Sequence, residues 1–351
     1  MNNSPQSKTE CAGNKPVASI ATWKAAVAPF QRPNRWRASW QLINSICGFA
    51  IAWALMYFTV QISWWLTIPL IIITGGLQIR IFIFFHDCGH GSFFRSRKAN
   101  SFWGFICGIL TFTPYYRWRW EHNRHHARSG NLNHRGTGDI WTMTVQEYLD
   151  APRITRLRYR IARNPFMMFL IGPLYLYLFK ERFVNSAGTS RETWSVIWMN
   201  LALIPLFVGM ILLFGWVNYL IIQLAVLLVA GSVGIWLFYV QHQFEDVYWG
   251  DDSDWNYTEA ALKGSSYYNL PRILHWFTGN IGFHHIHHLS PKVPNYNLQR
   301  CHESSPVFSE IKGLTLLTSM KSMSLRLFDE STRKMVGYGH LRTLGAEAGK
   351  P

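Results

Sequence analysis

Residues 62–90 read ISWWLTIPLIIITGGLQIRIFIFFHDCGH. From Ile62 to Phe85 the run carries a single charge, Arg80, over more than the ~20 residues a helix needs to cross the hydrocarbon core. It continues without a break into His86 and His90, whose H-x3-H spacing sets two imidazoles one helical turn apart. One stretch therefore predicts a membrane-crossing helix and a pair of metal-binding side chains at its end.

Three more apolar runs have spanning length: Trp40 to Val60, Trp194 to Trp216 and Asn218 to Val240. The whole sequence of 351 residues is 49% hydrophobic and 16% aromatic, with 17 Trp and only 15% charged residues. The fold class this predicts is an all-α integral membrane protein, with four transmembrane helices in two hairpins and a cytoplasmic cap bearing a His-rich di-metal site.

The net charge of +15 invites a nucleic-acid reading, and its placement argues against one. Of the 34 Lys and Arg, six precede the first run, Arg80 lies in the second, 16 fall between His86 and Thr193, and 11 follow Val240. The tips near Gln61 and Val217 have none. Basic residues stay on the cytoplasmic side, so both termini and the middle loop are expected there, facing anionic headgroups. The expected location is multi-pass, in the inner or plasma membrane if the source is bacterial.

Five scattered cysteines without a C-x-x-C pair predict reduced thiols. Residues 1–33 are polar, lack an apolar signal-peptide core, and read as a disordered arm. Arg32, Arg35 and Arg37 with Trp36 and Trp40 read as an interfacial anchor, and Arg80 as a side chain snorkelling to headgroups. Residues 34–297 form the expected membrane domain and 298–351 a cytoplasmic C-terminal tail. The apolar segments 101–116 and 165–179 are short for a crossing, which predicts interfacial or re-entrant placement. A turn is expected at Gly215-Trp216-Val217-Asn218.

Two further histidine clusters follow the first: His122-Asn123-Arg124-His125-His126 and His284-His285-Ile286-His287-His288. Together the three hold nine of the 14 histidines. At ~100° per residue, His284, His287 and His288 fall within about 100° of one another, with His285 roughly 60° beyond that arc. The H-x2-H-H spacing of His122, His125 and His126 matches His284, His287 and His288, and so favours that frame over one using His285. Eight or nine imidazoles exceed the three or four of one zinc site and imply two metal ions. Imidazole alone does not choose among Zn, Fe, Cu and Ni.

These motifs, in this order around the apolar pairs, resemble the three histidine boxes of integral-membrane fatty acid desaturases over roughly residues 40–297. H-D-C-G-H followed by Gly91-Ser92-Phe93-Phe94 resembles the methyl-end, Δ12 or ω3, acyl-lipid branch. The resemblance implies a cytoplasmic di-iron centre that uses O2 and two external electrons to introduce a cis double bond, here at Δ12, converting oleoyl to linoleoyl. Matched motif by motif, the implied ligands are His86, His90, His122, His125, His126, His284, His287 and His288. Gln241-His242, just past the fourth run, matches the family's additional ligand and adds His242.

Asp87, Glu121, Asp139, Glu245 and Asp246 are candidates to orient ligand N–H groups, with Asn280 and His285 as further neighbours of the metals. Trp103 to Phe105, Tyr115, Tyr116, Trp118 and Trp120 are candidates to line an acyl channel or an interfacial belt. Arg117, Arg119 and Arg124 are candidates to meet a headgroup or carrier. No substrate-binding residue is assigned. No His-Pro-Gly-Gly haem signature occurs, so electrons are expected from a separate ferredoxin or cytochrome b5. The expected substrate is an acyl-lipid or acyl-thioester within the bilayer. The alternative readings are a hydroxylase or ketolase of the same superfamily, acting on a carotenoid, alkane or acyl chain, and, more remotely, a metal transporter. The four apolar runs contain no acidic residue or histidine, and transporter sites usually sit at the bilayer midplane.

Overall fold

The structure, a computed structural model, describes residues 20–136, 138–184, 188–309, 311 and 313–348. It is mostly helical, and among the described residues four helices are long and apolar enough to cross a membrane: Arg35–Ile62, Trp64–His90, Ser190–Phe214 and Trp216–His242. Each runs beyond the apolar run that predicts it at one end or both, while the second begins two residues late and the third ends two residues early.

The first begins at Arg35 because Asn34 Oδ1 accepts the backbone N–H groups of Trp36 and Arg37 at 3.0 and 3.1 Å, capping the free amides of the first turn. Only Ser63 separates it from the second helix. The second continues to His90, so the first histidine cluster is its last turn. Between the third and fourth, the expected four-residue turn shrinks to Gly215, at φ 76° and ψ 148°. Glycine alone takes this backbone conformation freely.

Apolar side chains gain little by leaving lipid for one another, so these helices depend on close packing and polar links. A Cβ on Gly75 would sit 2.5 Å from Val229 Cγ1, so glycine is what lets the second helix lie against the fourth. Trp53, Met56, Ile71, Phe214, Tyr219 and Val226 bury one another among all four helices. Arg80 does not snorkel. It is 4% exposed, donates to Ser45 Oγ at 3.0 Å and to the Trp276 carbonyl, and lies 4.2 Å from the Trp276 ring centroid. A guanidinium satisfied this way ties the first and second long helices to the short helix Arg272–Phe277 that precedes the third histidine cluster.

The segments flanking the long helices close over the ends that carry His90 and His242. A short helix, Arg97–Leu110, packs along the second long helix through Cys107, Phe85 and Phe93. Tyr115–Arg128 carries the second histidine cluster and His284–Leu289 the third. The 165–179 segment forms a π-helical stretch, Met167–Ile171, and then Gly172–Leu178.

Two expectations for the termini change. Residues 1–19 of the expected arm lie outside the described residues, but Ile20–Val27 is helix, because Trp23 and Val27 bury themselves against Phe283, Ile286 and Leu289. The C-terminal segment is built in rather than trailing. Leu327–Asp329 pairs parallel with Met143–Thr144 and antiparallel with Lys334–Val336. Gly313–Leu314 pairs parallel with Tyr267–Tyr268.

Candidate metal centre

His86 and His90 end the second long helix, and His242 is the last residue of the fourth. Because both apolar runs finish at the same end of the bundle, their terminal histidines arrive together. His122, His125 and His126 come in on one face of Tyr115–Arg128, and His284, His287 and His288 on one face of His284–Leu289. One ring nitrogen from each of His86, His90, His122, His126 and His287 lies within 4.8 Å of the others, and one from each of His125, His242 and His288 forms a second such group. His284 joins the second group, with its Nε2 3.0 Å from that of His242 and 3.1 Å from that of His288.

The hydrogen-bond partners decide which nitrogens face inward. Asp139 Oδ1 lies 2.5 Å from His125 Nδ1, Asp87 Oδ1 lies 3.0 Å from His86 Nδ1, and the Gly264 carbonyl lies 3.2 Å from His242 Nδ1. Each partner accepts a proton held on Nδ1, which leaves Nε2 as a bare lone pair. The bare Nε2 atoms of His125 and His242 then face each other at 3.3 Å. His126 Nε2 likewise lies 2.9 Å from His287 Nε2 and 3.1 Å from His122 Nε2.

Lone pairs this close repel unless a cation lies between them. A metal–nitrogen distance of ~2.0–2.1 Å puts neighbouring ligands roughly 3 Å apart, so the donor set fits a metal. His90 Nε2 is buried without a protein partner, as that reading requires.

Burial, reinforced by the neighbouring imidazoles, holds His122, His126, His284, His287 and His288 well below the ordinary histidine pKa. They stay neutral, the form a metal binds.

His285 turns the other way. It is fully buried, its Nε2 lies 3.2 Å from His302 Nδ1, and burial with His302 pushes its pKa down to about 3. Asn280, at φ 60°, gives its amide to the Asn295 carbonyl at 3.3 Å, and it is Phe283, with no side-chain cap bond, that precedes the helix His284–Leu289. Glu121 bonds Arg117 and Lys180 at 3.3 and 3.6 Å. Glu245 and Asp246 are surface acids paired with Lys321 and Lys334. A contact missed from sequence is the backbone N–H of Asn295, which donates to Asp87 Oδ2 at 2.7 Å. The Pro294-Asn295 helix start offers free amides and is the one sequence signal for it.

A cavity of about 250 Å³ opens onto His86, His122 and His284. Ile79, Phe82 and Ile83 of the second helix and Ala230, Gly234, Ile235 and Phe238 of the fourth line it, with Gln78 and Tyr177. Of the aromatic channel candidates only Trp118 reaches it. Tyr115 instead donates to the Cys88 carbonyl at 2.6 Å, and Trp120 stacks under Arg124 at 4.8 Å. Arg117 is spent on the carbonyls of Lys180 and Phe183 at 2.8 and 2.6 Å.

The stretch from the second long helix through the third histidine cluster is matched by the family model described as fatty acid desaturase, over residues 62–312. The protein belongs to the fatty acid desaturase family. A protein of Bacillus subtilis (strain 168) named fatty acid desaturase is 46% identical to this desaturase over 312 residues, 89% of each sequence. An sn-1 oleoyl-lipid 12-desaturase of Synechocystis sp. is 28% identical over 258 residues, 68% of each sequence. An sn-1 acyl-lipid omega-3 desaturase (ferredoxin) of Nostoc sp. is 26% identical over 332 residues, 88% of this sequence and 87% of that one. As a desaturase the protein is an oxidoreductase with a lipid substrate, and its clustered imidazoles are compatible with a metal site.

Proposed function

We propose that this desaturase introduces a cis double bond into an acyl group of a membrane lipid, using O2 and two electrons from an external donor such as a ferredoxin or cytochrome b5. His86, His90, His122, His126 and His287 would hold one iron ion, and His125, His242, His284 and His288 the second. The observation that carries this reading is the apolar cavity that ends on His86, His122 and His284. An unactivated C–H bond in the middle of an acyl group resists acid or base chemistry at neutral pH, and the ions, when bound, would supply the redox chemistry that such a bond requires.

The protein's part is placement. Asp87 and Asp139 fix two rings by their Nδ1–H groups. Ile79, Phe82, Ile235 and Phe238 hold the acyl group against the imidazoles and keep water out. Both termini and the histidine-bearing end face the cytoplasm, in keeping with the bare tips at Gln61 and Val217.

The Δ12 position draws support from the H-D-C-G-H box and from the relative named as an oleoyl-lipid 12-desaturase. Expression in a host of defined lipid content, followed by mass spectrometry of fatty acid methyl esters, tests both levels. A new diene at Δ12 is expected. A new double bond elsewhere would overturn the position, and an oxygenated product without a new double bond would overturn desaturation in favour of hydroxylation.

A further inference from the structure

Between Asp150 and Glu181 the sequence has five arginines and Lys180 without one acidic residue. Four of the arginines fall in the helix Arg153–Ala162, sequence RITRLRYRIA. Its inner face is docked on protein: Tyr159 is fully buried and donates to the Arg326 carbonyl. Its outer face is apolar and uncovered. Ile154, Leu157 and Ile161 are 55%, 53% and 47% exposed.

At ~100° per residue these three side chains share an arc of roughly 60°, about 140° from Tyr159 if measured from Ile154. Arg158 stands ~40° to one side of the stripe, and Arg153 and Arg160 ~40–60° to the other. Arg160 is partly engaged by Tyr148 Oη at 2.6 Å, whereas Arg153 and Arg158 are exposed. An apolar stripe rimmed on both sides by arginine suits the boundary between headgroups and acyl tails.

The fold sets the depth. Arg163, just after this helix, donates to Gln243 Oε1 at 2.8 Å, at the end of the fourth long helix. Ten residues later Pro173 sits against Gly231, where a Cβ would come within 2.6 Å. Between Gln243 and Gly231 the fourth helix rises ~18 Å, so the backbone descends along it into the apolar layer after Arg163. The C-terminal end of Arg153–Ala162 lies at the top of that descent, level with the end of the apolar run. Phe166, Tyr175 and Phe179, in the residues that follow, are also exposed and apolar.

We propose that Arg153–Ala162 is an anionic-lipid docking surface, with Ile154, Leu157 and Ile161 in the outer acyl layer and Arg153 and Arg158 on lipid phosphates. The occupant is the bilayer's own anionic phospholipid, recognised by charge complementarity with the arginines that rim the apolar stripe.

The test uses the full-length protein in nanodiscs, with a fluorophore on Leu157→Cys in a Cys11→Ser, Cys47→Ser background. Quenching is read with doxyl-labelled phosphatidylglycerol or doxyl-labelled phosphatidylcholine, each diluted in unlabelled phosphatidylcholine. The expected result is quenching by both lipids and a stronger effect from phosphatidylglycerol. That preference should fall about five-fold for each arginine removed in R153Q and R158Q. Equal quenching by the two lipids in the unsubstituted helix would overturn the anionic preference. No quenching by either would place the stripe against water or a protein and overturn the proposal outright. Neither readout depends on catalysis.

Discussion

Asp139 illustrates how a single carboxylate can govern a metal site without binding the metal. Its contact with His125 Nδ1 at 2.5 Å fixes which nitrogen of the ring faces the cluster. Asp139→Asn is expected to lower metal affinity or activity 10–100-fold, measured as metal bound per protein and as product formed. Glu245→Ala, on the surface beside Lys321, should change neither. Sequence alone ranks these two acids equally, because adjacency to a histidine box does not say which way a carboxylate points. Six of the nine imidazoles stand out in the sequence by a repeated H-x2-H-H spacing and His86 and His90 by their H-x3-H, whereas His242 is named only through the family resemblance. The outward turn of His285 follows from the same spacing, but its partner His302, 17 residues on, does not.

The buried histidines also set a pH dependence. The unfolded protein protonates these rings near the ordinary pKa of 6.5, whereas the folded, metal-free protein keeps His285 neutral down to about 3. Between those values the unfolded state binds more protons, so stability is full above ~6.5 and is lost progressively as pH falls toward 3. Thermal unfolding of the metal-free protein in detergent should show a melting temperature that drops steadily below pH 6.5, and a flat profile there would contradict the burial of these rings.

At the level of elements, the two histidine-bearing long helices carry both the ligands and the cavity wall. The stripe that ends on His86 runs back through Ile83, Phe82 and Ile79 to Gln78, and the stripe that ends near His242 runs back through Phe238 and Ile235 to Gly234. Neither stripe stands out in the sequence, because both helices are apolar nearly all round, and nothing in it says that they bound an open space.

Two glycines test the difference between packing and cavity. A Cβ on Gly234 meets nothing within 4 Å and points into open space at the cavity wall. Gly234→Leu should therefore leave the protein folded while cutting conversion of long acyl substrates more than short ones, read from product profiles. Gly75 is the opposite case, pressed against Val229. Gly75→Leu should overpack the contact of the second and fourth helices at a cost of ~1–3 kcal/mol, seen as a lower melting temperature for every substrate condition.

Across the whole molecule, the four membrane-length helices and their order are legible because apolar runs of spanning length have few other uses. The ends are not. Trp23 and Val27 look like parts of a polar arm until Phe283, Ile286 and Leu289 supply the surface they bury against. The strand Leu327–Asp329 has no local hairpin partner upstream and finds Met143–Thr144 across the fold. Both contacts brace the histidine-bearing end, where nine side chains from four stretches of sequence gather into two groups.

The central claim, that these nine imidazoles form a site for two iron ions, is tested most directly by elemental analysis of the purified, catalytically active full-length protein. Two irons per protein are expected, with a clear loss in His125→Ala while the variant remains inserted in the membrane. One iron or none per active protein, or unchanged metal content in His125→Ala, would contradict it.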